Sequence, residues 1–423
     1  MRVLILHMRY APDLTGTGPL VTELATDLAA RGEDVAVVAS VPHYGRSDVP
    51  REYRGGLFHE RMESGVRVIR TMGWTRGLDS VIGRSADYLL YAALSTAAGL
   101  RLPRPDVVLC VAPPITVGLT GWLLRRGAPL VLSTQDIWPD GLISMGRLRS
   151  PRMIRVFHAF EGWLYRQCRS ISVLSEGMKA NLISKGVPAE KVVVIPNWVD
   201  LGGWVPAPKA NAFRNELGLE NRFVILFAGN LGYAAALESV IETAALLRDE
   251  PAITFLIVGE GSAKKDLMRM AAEVPLDNVR FVTTQPASRL LDVYGVADLS
   301  LVTLRKGMGQ VSVPSKAYSI MASRRAMLAS VPQDSEIHRL VKEAGCGMWV
   351  PSEDAAAMAR AIRELRGDVA RLEAFGSNGR RWVQTHHARS QSVSKYHQWL
   401  AEAAGRPPPP AEQVNAREAA QDR

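Results

Sequence analysis

Gly229-Asn230-Leu231-Gly232 is a glycine turn that lets a ligand come close to the backbone, and Val313-Pro314-Ser315-Lys316 sets a lysine in a helical turn opened by proline. A cation at the positive end of a helix makes sense if a diphosphate lies between the two; a surface lysine on an ordinary helix is the alternative. Pro12-Asp-Leu-Thr-Gly16-Thr-Gly18 is a second glycine loop opening a helical segment, suited to a negative group, with a plain turn as the other reading. It is no dinucleotide fingerprint, because Val21 stands where a third glycine would be. Ser133-Thr-Gln135-Asp136 ends an apolar run. A carboxylate beside an amide supplies the acceptors and donors that sugar hydroxyls require, although Asp136 or Asp140 could equally cap a helix.

Charge adds a further candidate. Residues 1–200 carry 24 Lys and Arg against 18 Asp and Glu, and 21 of those cations are arginine. Arg147, Arg149, Arg152, Arg155, Arg166 and Arg169 cluster with Glu161 as their only acid, interleaved with Ile154, Phe157, Phe160 and Trp163. The pattern fits a basic amphipathic surface for anionic lipid or a phosphorylated ligand, or else a solvated helix whose apolar side is core. No nucleic-acid motif accompanies it, so nucleic acid is not an expected partner. The chain has no Asp-x-Asp pair and no His/Cys cluster with ligand spacing, so neither metal nor cofactor is expected. Cys110, Cys168 and Cys346 are odd in number and far apart, which suits free thiols in a reducing compartment.

A chain of 423 residues exceeds one hydrophobic core, and two series of elements are visible in it. An apolar run from Arg2 to His7, a glycine loop, a helical stretch and a second run at 35–39 form the unit of a parallel doubly wound sheet. Further buried strands are predicted at 66–70, 107–111, 130–133, 170–174 and 192–195. After a Gly/Pro-rich break the second series begins, with strands at 223–227, 254–258, 279–282, 299–302 and 326–329. The predicted organisation is an α/β chain: a first Rossmann-like domain at 1–200, a linker at 201–212, and a second at 213–378. Helices at 379–404 return toward the first, and a disordered tail covers 405–423. The carboxyl ends of both sheets are expected to face an interdomain cleft holding the ligand. The beginning of the chain does not resemble a signal peptide, so a cytoplasmic protein is expected. The uncharged stretch 88–100 is too short to span a bilayer, and 107–124 contains Pro113-Pro114, so it reads as strand, loop and helix.

Ten segments in order together resemble the GT-B fold glycosyltransferases of family 4, particularly those of capsular, colanic-acid-type and O-antigen polysaccharide synthesis. They are Tyr10 to Gly18, Val41-Pro-His43-Tyr44 with Tyr53-Arg54, Gln135-Asp136-Ile-Trp-Pro139, Ser175-Glu-Gly-Met178 and Ile195-Pro-Asn197 with Val199-Asp200. The second half adds Phe227-Ala-Gly-Asn-Leu-Gly232, Val258-Gly-Glu-Gly261, Asn278-Val-Arg-Phe281, Ala297-Asp298 and Val313-Pro-Ser-Lys316. The resemblance implies a retaining, metal-independent transferase that holds a nucleotide sugar mainly in the second domain and a glycan or polyprenyl-linked acceptor mainly in the first. It implies that Gly229, Asn230, Gly232, Ser315 and Lys316 meet the diphosphate, that Gly16 and Gly18 border the sugar, and that Gln135 and Asp136 line the site.

This chain also departs from the family. Gln135 replaces a histidine, Asn230 and Ala235 replace an arginine and lysine pair, and the family's two glutamates fall on Val311 and Ser319. The ribose contact must then come from Ser319, from Glu336 or from elsewhere. Arg147, Arg149, Arg152 and Arg155 are expected on the acceptor or membrane side of a peripheral protein. The rival readings are a sugar-nucleotide epimerase and a non-catalytic nucleotide-sugar binder.

Overall fold

The computed structural model describes residues 1–13, 16–42, 49–75, 77 and 81–407. Its contacts divide the chain into two compact units, each a doubly wound α/β layer structure. The first takes in Met1–Pro139, Leu148–Pro196 and the chain from Ser390 on, and the second Asp140–Arg147 and Asn197–Arg389. The short helix Asp140–Ser144 thus belongs to the second unit, where the Ser144 hydroxyl donates to the Gly307 carbonyl at 3.1 Å. His43, Tyr44 and the stretch 408–423 lie outside the described residues.

The first unit contains β1 (Arg2–Leu6), β2 (Asp34–Ser40), β3 (Phe58–Glu63), β4 (Val66–Thr71), β5 (Val107–Ala112), β6 (Leu130–Thr134), β7 (Ser170–Val173) and β8 (Val192–Val194). They are ordered β3-β4-β2-β1-β5-β6-β7-β8, parallel except for the antiparallel pair β3–β4. Every residue of β5 and β6 is buried, as apolar runs covered on both faces must be. No apolar run announces β3, Phe58-His-Glu-Arg-Met-Glu63. It is an edge strand with Glu60 and Arg61 exposed, and its acids pair across the ladder, Glu60 with Arg67 at 2.6 Å and Glu63 with the buried Arg70 at 3.0 Å. From Ser390 on, the helix Arg389–Ala403 is stitched to this sheet: Tyr396 meets Ser133 at 2.8 Å, Trp399 donates to Ser170 at 2.8 Å, and His397 meets Glu33 at 2.6 Å.

The second unit contains β9 (Phe223–Ala228), β10 (Ile253–Val258), β11 (Val279–Val282), β12 (Leu299–Thr303), β13 (Met327–Val331) and β14 (Gly347–Pro351). All are parallel, in the order β11-β10-β9-β12-β13-β14. Relabelled from one, that is 3-2-1-4-5-6, the dinucleotide-fold order, whose direction reverses between β9 and β12. The sequence pattern missed β14, because Gly347-Met-Trp-Val-Pro351 has glycine and proline at its ends. Glycine is required there: a Cβ on Gly347 would lie 2.0 Å from the Met327 carbonyl oxygen. No described helix is long and apolar enough to cross a membrane. Residues 107–124 form strand, loop and the helix Val117–Leu124, as the double proline indicated.

Candidate functional site

At the switch point of the second unit, the loop after β9 and the loop after β12 come together. The first is clamped from beneath. Gly229 N–H donates to Val258 O at 3.0 Å and Leu231 N–H to Glu260 O at 2.8 Å, while Ala263 N–H returns a bond to Leu231 O at 2.9 Å. The clamp demands glycine in the neighbouring loop, since a Cβ on Gly261 would fall 2.5 Å from Leu231 backbone atoms. Alternate amides point inward, and those of Asn230 and Gly232 make no hydrogen bond among the described residues. Asn230 is exposed. An anion laid on this loop meets free donors.

Two cations flank it. The Lys316 ammonium lies 3.3 Å from the centroid of the Phe227 ring, close enough to Gly229 that a Cβ there would touch its Nζ at 3.4 Å. Lys316 has no ion pair or hydrogen bond among the described residues, and burial pulls its pKa down to about 7. The ring face favours the charged form but does not replace the lost water. On the other side, the exposed Arg147 guanidinium sits 3.8 Å from the centroid of the Tyr233 ring, without a carboxylate partner among the described residues. Arg305 fixes Tyr233 by donating to its carbonyl at 2.8 Å and pairing with Glu238 at 2.9 Å. Two unneutralised cations, each on an aromatic face beside free amides, form a site for a polyanion of diphosphate size.

Several expectations need correction here. Lys316 is half-buried and opens the helix Lys316–Ala322, so Pro314 stands outside that helix; the exposed Ser315 is its N-cap residue, without a side-chain bond to the helix. Arg147 belongs beside Tyr233 in the second unit and so leaves the arginine cluster, whereas Arg149, Arg152 and Arg155 are exposed in the first. Sequence reasoning missed Phe227 and Tyr233 as platforms, because an aromatic at a strand end looks like any core residue.

In the first unit, the loop after β1 is ordered by His7. Buried, this imidazole meets Val111 O through Nδ1 at 2.9 Å and Thr17 Oγ1 through Nε2 at 2.7 Å. Since a carbonyl only accepts, Nδ1 carries the proton and Nε2 accepts from the hydroxyl. Gly16 has φ +61° next to Arg9, and a Cβ on Gly18 would lie 2.9 Å from Asp13 O. Burial first, and Arg9 after it, hold the His7 pKa down at about 4 against the ordinary 6.5, with the Val111 bond opposing. The unfolded chain therefore takes up a proton between pH 6.5 and 4 that the native one resists, and stability falls as pH drops through that window. The full contribution is on the order of 3 kcal/mol. Thermal unfolding at pH 4.5 and 7.5 should show a smaller difference in His7→Gln than in wild type.

Ser133 and Gln135 share a face, and Gln135 Nε2 donates to Ser133 Oγ at 3.1 Å beneath Tyr396. Gln135 is buried in the tie to the last helix and does not line an open site, contrary to expectation. Asp136, the next residue, is half-buried.

Two family models match the chain in succession: the glycosyl transferase 4-like domain over residues 15–198 and glycosyl transferases group 1 over residues 209–382. The Escherichia coli (strain K12) protein WcaI, named for colanic acid biosynthesis glycosyl transfer, is 30% identical over 86% of this chain and 92% of its own. The chain belongs to the GT-B glycosyltransferases of family 4. The Pseudomonas aeruginosa protein WbjE, named as a glycosyltransferase, is 29% identical over 70% of this chain and 74% of its own. Two solved folds are similar to this one. Sucrose-phosphate synthase of Thermosynechococcus elongatus has TM-score 0.75 at 18% identity, covering 95% and 98% of the two chains. Anabaena HepE in complex with UDP-glucose has TM-score 0.71 at 16% identity, covering 95% and 100%.

In this glycosyltransferase the two positions expected to carry glutamate are occupied otherwise. Val311 is buried, its Cγ1 3.6 Å from where a Gly141 Cβ would stand, so an acid there would be desolvated against the helix Asp140–Ser144. Ser319 is half-buried beside the buried Tyr294. Glu336 is buried and forked onto Arg339 in its own helix, one bond at 3.0 Å. Of the two, Glu336 is thus held by a cation of its own helix, whereas the Ser319 hydroxyl is half-buried and keeps capacity for a further bond.

Proposed function

We propose that this glycosyltransferase moves a sugar from a nucleoside diphosphate donor to a glycan or lipid-linked glycan, with retention of configuration, in the synthesis of a cell-surface polysaccharide. The observation that carries the reading is the pairing of Lys316 and Arg147 around the free amides of Asn230 and Gly232. The UDP and UDP-glucose named for HepE, and the polysaccharide role named for WcaI, support the donor and product classes. In the reaction the sugar–phosphate bond breaks and the leaving diphosphate gathers charge. Lys316, Arg147 and the loop amides stabilise that charge more strongly than the ground state, and the departing phosphate oxygen accepts the proton of the incoming hydroxyl on the same face. Two fixed cations take the charge-neutralising role, so we propose that no metal ion is required.

The protein is placed at the inner face of the cytoplasmic membrane in this reading, because a polyprenyl-linked acceptor stays in the bilayer. Helix Pro151–Gln167 exposes Met153 and Val156 beside Arg152 and Arg155, an arrangement suited to anionic lipid. One experiment tests the transfer. Slow donor hydrolysis without acceptor, followed by NMR across UDP- and GDP-sugars in excess EDTA, should release a sugar whose first-formed anomer matches the donor. An inverted anomer, an isomerised nucleotide sugar, or turnover that returns only with manganese or magnesium would overturn the reading.

A further inference from the structure

The second half of helix Pro151–Gln167 and the stretch 185–191 enclose a pocket of about 320 Å³ within the first unit. Its lining holds one acid, Glu161, against His158, Arg166, Lys185 and Lys191. That acid is already satisfied. Glu161 accepts from the Tyr165 hydroxyl at 2.8 Å, from Lys185 Nζ at 2.9 and 3.1 Å, and lies 3.1 Å from His158 Nδ1. Lys185 cancels its charge, and the buried network fixes both pocket walls.

Two cations then remain uncompensated. Arg166 and Lys191 have no carboxylate partner among the described residues. Lys191 is tethered by donating to the Arg166 carbonyl at 3.3 Å, and the Arg166 guanidinium lies back along its helix, 3.5 Å from where a Cβ on the pocket-lining Gly162 would stand. Burial lowers the Lys191 pKa, and Arg169 pushes in the same direction. An anion in the pocket would relieve both costs, and a concave wall concentrates the field that attracts it. The volume admits a phosphate with a few-carbon substituent, at the lower end of small-ligand sites.

We propose that this pocket binds a phosphate monoester, its two negative charges matched by Arg166 and Lys191, either as a free sugar or polyol phosphate or as the headgroup of a lipid with a terminal phosphate. This site lies in the first unit and does not rest on the donor reading. Calorimetry of the full chain with glycerol 3-phosphate, at constant ionic strength against sulfate, should give saturable binding that weakens at least tenfold in Arg166→Gln and further in Arg166→Gln/Lys191→Gln. Arg166 is exposed and Glu161 keeps its donors, so both variants should unfold at the wild-type temperature. Vesicles of phosphatidic acid, compared with phosphatidylglycerol at equal surface charge, separate the sources. A preference for phosphatidic acid that the double variant loses marks the lipid; binding of the soluble ester without that preference marks the free ligand. If neither probe binds better than its control, or Arg166→Gln binds as wild type does, the proposal is overturned.

Discussion

Lys316→Ala should weaken binding of a nucleoside diphosphate sugar by between about ten- and a hundredfold, the 1.5–3 kcal/mol of a charge-assisted contact, while leaving the fold intact. The structure adds a pH signature. The ammonium has lost water to burial and lies over Phe227, so its pKa in the free protein is about 7. A bound diphosphate favours the charged form and raises that value. Above pH 7, donor binding must therefore take up a proton, and affinity should fall as pH rises, by up to tenfold per unit. Both phosphates of a nucleotide sugar are esterified and do not titrate near neutrality, so the slope belongs to the protein. Calorimetry in buffers of different ionisation enthalpy should show proton uptake at pH 8 in wild type and none in Lys316→Ala. Stability moves the other way. Below pH 7 the native state carries a charge that burial disfavours, so Lys316→Met should be no less stable than wild type there. A donor affinity independent of pH in wild type would remove Lys316 from the phosphate site.

How far the sequence discloses this arrangement depends on the kind of signal each residue sends. Buried strands such as Val107–Ala112 and Ile253–Val258 are legible because covering both faces of a parallel sheet leaves an unbroken apolar run. Edge strands are not: Phe58–Glu63 is solvated and Gly347–Pro351 is bounded by residues that break patterns. The glycine loop and Lys316 are visible as types at a spacing, because close approach and charge each restrict residue choice. What joined them was invisible. Phe227 at the end of β9 is a core residue by every local measure, and its second role exists only because β12 pairs beside β9 and delivers Lys316 onto its face. Arg147 illustrates the opposite failure. Its neighbours in sequence are arginines of the first unit, but the helix Asp140–Ser144 packs with the second, so a cluster read along the chain was divided in space. Gln135 was misplaced because it bonds to Ser133 beneath Tyr396, a partner so far along the chain that no local pattern announces it.

Gly259→Ala should damage this protein more than any substitution at a surface loop, and through the same site. Gly259 follows β10 with φ +150°, a region closed to L side chains, and its Cβ would stand 1.9 Å from the Gly229 carbonyl oxygen. Neither side can yield cheaply. Gly259 N–H is bonded to Val282 O at 2.9 Å and Gly229 N–H to Val258 O at 3.0 Å, so backbone must move against two strands. A cost of about 3 kcal/mol is expected from strain and broken ladder bonds together. The displaced atom belongs to the residue against which Lys316 rests, so donor affinity should fall at least tenfold in whatever fraction remains folded. Gly32→Ala supplies the comparison, because Gly32 also has positive φ, +89°, but nothing lies within 4 Å of its Cβ direction. That variant should lose only about 1 kcal/mol, the conformational part alone. Chemical denaturation of both, with donor titration of the folded protein, separates backbone strain from close approach. Equal destabilisation by the two substitutions, or a Gly259→Ala protein that binds donor as wild type does, would show that the two glycine loops are not packed as tightly as their geometry requires.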